Sequence, residues 1–128
     1  MPFGHAPDAF DAGVTERHVM IFAALSAAMA IAAGAFGAHS ASGIAIDWLK
    51  TGGFYQLIHA LAALVLVLVQ RFRGVAIALL IGSLIFAGSL YAMALGAPRW
   101  FGAITPIGGL LMIGGWLACA YQTWRLDN

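Results

Sequence analysis

The stretch FYQLIHALAALVLVLVQ (Phe54–Gln70), followed after Arg71, Phe72 and Arg73 by GVAIALLIGSLIFAGSLYAMALG (Gly74–Gly96), decides how the rest of the chain is read. Neither run contains Asp, Glu, Lys or Arg. A helix that crosses the hydrocarbon of a bilayer needs about 20 mostly apolar residues. The second run meets that length, and the first, at 17 residues, is only slightly short of it. The three residues between them force a tight antiparallel hairpin of two spanning helices.

Working outward, Val19–Ala38 and Pro106–Trp124 are windows of the same kind. The composition agrees with four spans. Of 128 residues, 62% are hydrophobic and 9% charged, against about a quarter charged in an ordinary soluble domain. A soluble chain this short could not bury so much apolar surface. The values exclude a soluble enzyme, a nucleic-acid binder and a disordered tail, and a formal net charge of +1 offers nucleic acid no attractive field. The single Cys119 lies in an apolar run and reads as a small hydrophobe, since one thiol builds neither a disulfide framework nor a thiolate metal site. The first apolar window is long for a cleaved signal, and Asp8, Asp11 and Glu16 outweigh Arg17 before it. It is read as a retained helix behind a cytoplasmic tail, residues 1–18.

The connections are short. Ala97–Thr105 contains Pro98, Arg99, Trp100 and Phe101, a turn with aromatics at headgroup depth. His39–Gly53 contains IAIDWLK (Ile44–Lys50) between Gly43 and the pair Gly52-Gly53, which predicts a short interfacial helix lying on the bilayer. Beside the spans, Arg17, Arg71, Arg73 and Arg125 fall on one side, and Lys50 and Arg99 on the other. The excess of positive charge predicts both termini in the cytoplasm. Trp48 and Trp100 then form an outer aromatic belt, and Tyr121 and Trp124 an inner one.

Lipid gives helices no hydrophobic reason to associate, so close packing and interhelical hydrogen bonds must do it. Small residues at helical spacing mark the faces expected to meet: Ala23, Ala27, Ala30, Gly34 and Gly37 in the first span; Ala78, Gly82, Ser89, Ala92 and Gly96 in the third; Gly108, Gly115 and Gln122 in the fourth. In the second, Gln56, Ala63 and Gln70 share a face with His59 and Ala60 near it, while Leu57, Leu61, Leu64, Val65 and Leu68 turn toward lipid. The expected fold is all-α: an integral membrane four-helix bundle, compact, with the interfacial helix between its first two spans.

Polar side chains inside hydrocarbon are expensive and therefore informative. Six are expected to converge in the outer half of the bilayer: His39, Tyr55, Gln56, His59, Tyr91 and Thr105. The simplest reading is structural, with each satisfying another and locking the bundle. Two imidazoles, His39 and His59, could ligate a haem iron, but no further ligand and no haem-attachment motif accompany them. No metal and no cofactor is therefore expected. A small-solute or proton-sensitive site lacks a carboxylate partner, and the membrane-embedded Glu of small multidrug-type exporters is missing. Thr105-Pro106 reads as the cap and first position of a helix. Trp116 could line a cavity, but reads more simply as a buried packing ring.

Gly34-Ala35-Phe36-Gly37-Ala38-His39, Trp48, Tyr55-Gln56 and His59-Ala60-Leu61 together resemble domain-of-unknown-function family 423, a group of small bacterial membrane proteins with animal relatives. Phe86-Ala87-Gly88-Ser89-Leu90-Tyr91, Thr105-Pro106-Ile107-Gly108-Gly109 and Gly115-Trp116 continue the resemblance. It covers about residues 19–124 and implies a four-span protein of the bacterial plasma (inner) membrane without an established reaction. The expected role is non-enzymatic: a small membrane protein that self-associates or serves as a partner subunit in the lipid bilayer. The competing classes are a transporter or channel-like protein using the outer polar cluster, and a haem-carrying redox protein.

Overall fold

The computed structural model describes residues 9–128, with side chains from Thr15 onward. It is all-α among those residues. Helix α1 covers Ala9–His39, α2 Ile44–Leu68, α3 Arg73–Ala94 and α4 Thr105–Leu126, with a short 3-10 helix at Arg99–Ala103 leading into α4. Each of the four is long and apolar enough to cross a membrane. Of the tail expected at 1–18, residues 1–8 lie outside the described residues, and the remainder belongs to α1.

The separate interfacial helix is not formed. Ile44–Lys50 are the first two turns of α2, which continues unbroken through Gly52 and Gly53. Both glycines are buried in the helix rather than ending it. A Cβ on Gly52 would lie 2.7 Å from Cε1 of Tyr91, and one on Gly53 3.1 Å from the carbonyl oxygen of Ala30. The pair removes side chains where α2 crosses its neighbours, and a helix in lipid keeps its backbone hydrogen bonds because no water replaces them. The break falls earlier, at Gly43, whose φ of +62° suits a residue without a Cβ.

At the opposite end, residues 69–72 join α2 to α3. Gln70 and Phe72 both adopt left-handed backbone, with φ of 55° and 51°, at a cost of roughly 1 kcal/mol each for residues with a Cβ. Arg73 is already the first residue of α3. Thus the hairpin read from the sequence is present, tightened by two unusual turn residues rather than by glycine.

Helix α3 is the centre of the molecule. Leu79, Ser83, Ala76 and Ala87 on it are fully buried. Val19 and Ala23 of α1, Ala60, Ala63 and Val67 of α2, and Ala76 and Leu80 of α3 share one apolar cluster. Small side chains let these three backbones approach, which is the packing available to helices in lipid. The stripes of the first and third spans hold at Ala23, Ala30, Gly37, Gly82 and Ser89, all buried. Gly34 and Gly96 depart from their stripes: Gly34 is exposed with nothing within 4 Å of where a Cβ would lie, and Gly96 is exposed with φ of +108° and follows the end of α3. Gln70 and Gln122 are likewise exposed rather than inward.

The bundle is more open than expected. By close backbone approach α4 packs on α3 and the 3-10 helix, and on neither α1 nor α2. The contact is intimate: a Cβ on Gly108 would fall against the backbone nitrogen of Phe86 and the carbonyl oxygen of Gly82, and one on Gly115 would lie 2.8 Å from Cδ2 of Leu79. Glycine-on-glycine packing holds α4 to one partner, and it leaves a cleft between α4 and α2.

Candidate functional site

Three hydrogen-bonded groups join the helices. At the first, the fully buried Gln56 side chain ties α1, α2 and α3 together. Its amide nitrogen donates to Oγ of Ser26 at 3.0 Å and approaches Sδ of Met29 at 3.5 Å. Its Oε1 accepts the phenolic O–H of Tyr91 at 2.6 Å. An uncharged amide has two N–H donors and one carbonyl acceptor, and here all of them face a partner.

The second group fixes an imidazole. His59 is 5% exposed, past the midpoint of α2, with Nδ1 2.6 Å from the backbone carbonyl oxygen of Tyr55. A carbonyl only accepts, so Nδ1 carries the proton and donates. Nε2 is then a lone pair, and it accepts the indole N–H of Trp116 at 3.0 Å. This bond links α2 to α4 where their backbones stay apart.

The third group lies at the end of α3 nearest the 3-10 helix. Ser89 donates to the Phe86 carbonyl at 2.8 Å, using its one hydroxyl proton, so Thr105 donates across the 2.6 Å separation to Ser89. Thr105 is therefore no helix cap: Ile104 holds that position and makes no side-chain cap bond. The preceding 3-10 turn leads directly into α4 and frees the hydroxyl to bridge to α3.

The six sequence-predicted residues thus divide. Gln56 and Tyr91 share one network; Tyr55 and His59 share a second through the Tyr55 carbonyl; Thr105 belongs to the third. His39 joins none of them. It is exposed at the last turn of α1, whereas His59 is buried deep in α2, so the two imidazoles are not brought together. The polar groups also do not form one layer in the half nearest His39, because α2 begins ten residues before the span expected for it, which carries His59 beyond the helix midpoint. Sequence reasoning overlooked Ser26 and preferred the buried ring over the cavity wall for Trp116, which in fact lines the cleft. Ser26 is the only hydroxyl in the first apolar window and sits on the same turn spacing as Ala23 and Ala30, a signal that was available. Trp116 is 45% exposed, not a buried ring, because α4 turns it to the rim of the cleft to reach His59.

That cleft, about 400 Å³, is lined by Tyr55, His59, Phe86, Gly109, Met112, Ile113 and Trp116. The Tyr55 and Phe86 rings are 4.9 Å apart, and those of His59 and Trp116 meet edge-on at 5.9 Å. Its chemistry is neutral: aromatic surface, one imidazole lone pair already engaged by Trp116, and Tyr55, whose hydroxyl bonds no other described residue. No group of three or more His, Cys, Asp or Glu that could hold a metal occurs among the described residues.

Four apolar helices joined by polar bridges define a small all-α, multi-pass membrane protein. Residues 33–109 match the family described as "Protein of unknown function (DUF423)", and the chain belongs to that family. It is 40% identical over 125 residues to the UPF0382 inner membrane protein YgdD of Escherichia coli K12, covering 90% of this chain and 95% of that one. It is 41% identical over 116 residues to the UPF0382 membrane protein SERP0230 of Staphylococcus epidermidis, covering 83% and 94%. A UPF0382 membrane protein of Haemophilus influenzae is 40% identical over 111 residues, covering 80% and 90%. No solved structure matches the chain.

Proposed function

We propose that the protein is a non-catalytic membrane subunit that self-associates through the outward face of α1. The observation behind this reading is that Ala24, Ala28, Ala32 and Ala35 are exposed on the side of α1 opposite buried Ala23, Ser26 and Ala30. A helix facing only lipid gains nothing from alanine there, whereas a second helix gains close approach. The interior supports the same view. Among the described residues no buried side-chain nitrogen or oxygen lacks a partner, so the polar groups inside the bundle are occupied in holding it together.

Both termini face the cytoplasm in this reading, with Arg71, Arg73 and Arg125 on that side, while Lys50 and Arg99 lie across the bilayer. The first two turns of α2, with Ile44 and Ile46 exposed, ride at the non-cytoplasmic interface. Reaction with a membrane-impermeant maleimide in intact cells checks the orientation: Lys50→Cys reacts and Arg73→Cys does not. Self-association is read by energy transfer between labelled copies in liposomes as the protein-to-lipid ratio falls. The wild-type chain gives a transfer signal above random proximity, and Ala28→Leu with Ala32→Leu reduces it several-fold. A chain that is monomeric throughout, or an assembly indifferent to both substitutions, overturns the proposal.

A further inference from the structure

We propose that the cleft between α2 and α4 binds the ring of a lipid-soluble hydroquinone, whose phenolic O–H replaces the Trp116 indole on Nε2 of His59. The inference concerns binding alone, with no transfer of electrons, and does not depend on self-association.

The donor character of the ligand follows from the tautomer. The Tyr55 carbonyl holds the imidazole proton on Nδ1, so Nε2 offers only a lone pair. A ligand atom that takes this position must bring a proton, which selects a hydroxyl over an ether or a ketone. Trp116 is the group that can yield: its ring is half-exposed at the rim, whereas His59 is buried and bonded on its other nitrogen.

The ring follows from the walls. Tyr55, Phe86 and Trp116 present aromatic faces and edges around one opening, and such surfaces favour a flat aromatic guest. A volume of about 400 Å³ is within the range of ligand pockets and suits a single substituted ring. A hydroquinone brings two hydroxyls to a lining that holds one imidazole acceptor and Tyr55, whose own hydroxyl bonds no other described residue.

Neutrality and lipid solubility follow from the setting. No Asp, Glu, Lys or Arg lines the cleft. Its rim residues Ile113 and Trp116 are exposed on a helix long and apolar enough to span a bilayer, so the opening faces the lipid from which a tailed hydroquinone would enter.

The test uses the full chain in phosphatidylcholine nanodiscs, with tryptophan nitrogens labelled and oxygen excluded. Decylhydroquinone is titrated while the indole N–H resonances are followed by NMR, with that of Trp116 assigned by Trp116→Phe. The resonance of Trp116 shifts and saturates while the other three stay in place. The dimethyl ether of the same compound, matched in ring and tail, binds about tenfold more weakly or worse for want of the hydroxyl. Ile113→Phe, which fills the cleft and leaves the His59 bond untouched, abolishes the shift. Absence of any Trp116 response at saturation of the bilayer, or equal binding of the ether, overturns the proposal. The ether comparison is made on the unaltered chain, so it decides the question even if Ile113→Phe fails to fold.

Discussion

Tyr91 on α3 donates its phenolic proton to Oε1 of Gln56 on α2 at 2.6 Å, across 35 residues of sequence. The same Gln56 amide bonds Ser26 of α1, so one uncharged side chain joins three helices. Water is absent from hydrocarbon, and each of these groups must find its partner within the protein. The bond also explains Gly52, one turn before Gln56. Its missing Cβ is the space occupied by the Tyr91 ring on the way to its acceptor.

Tyr91→Phe removes the donor while preserving the ring, and leaves Oε1 of a fully buried amide unpaired. Reversible unfolding in mixed micelles is expected to show a loss of about 1–2 kcal/mol. In a double-mutant cycle with Gln56→Leu the coupling is about 1 kcal/mol, since membrane hydrogen bonds are individually modest. Additive effects would place the two side chains out of contact.

The His59 tautomer is directly visible. Nitrogen NMR of the imidazole should give a protonated Nδ1 and a bare Nε2, as the Tyr55 carbonyl and the Trp116 indole require. Trp116→Phe keeps that tautomer and shifts the Nε2 resonance, with a stability loss of about 0.5–1.5 kcal/mol. The opposite tautomer would contradict the geometry.

Gly108 and Gly114 lie on α4 with opposite surroundings. A methyl group on Gly108 would strike the backbone of α3, whereas one on Gly114 meets nothing within 4 Å. Gly108→Ala is expected to cost about 1–3 kcal/mol by forcing the helices apart. Gly114→Ala should be neutral or stabilising by up to about 1 kcal/mol through helix propensity. The pair is compared by thermal unfolding in one detergent.

Thr105→Val retains shape and removes the hydroxyl that donates to Ser89. Ser89 keeps its own bond to the Phe86 carbonyl, so the loss should be small, about 0.5–1.5 kcal/mol. Hydrogen exchange at the start of α4 should rise, while exchange around Gln56 stays unchanged. A rise at both would merge networks that the geometry separates.

Much of the fold was legible before any helix was placed. The hairpin at Arg71–Arg73, the inward turn of Gln56 and His59, and the tight packing of Gly82, Gly108 and Gly115 follow from periodicity and the demands of lipid. The first turns of α2 misled because Gly52-Gly53 resembles a break in the helix. The meaning of the pair depends on Tyr91 and Ala30, which are distant in sequence. Thr105 misled in the same way, since a hydroxyl before proline reads as a cap until Ser89 stands opposite.

Span number, span length and the scarcity of polar groups were set by composition along the chain, because hydrophobicity sums over neighbouring residues without regard to what lies across from them. The choice of partners belonged to the tertiary structure: Ser26 and Tyr91 for Gln56, Trp116 for His59, Ser89 for Thr105. So did the attachment of α4 to α3 and the cleft this leaves beside α2. A hydrogen bond requires two atoms within about 3 Å. Whether they meet depends on the rotation and axial offset of each helix, which only the packing of all the helices together specifies.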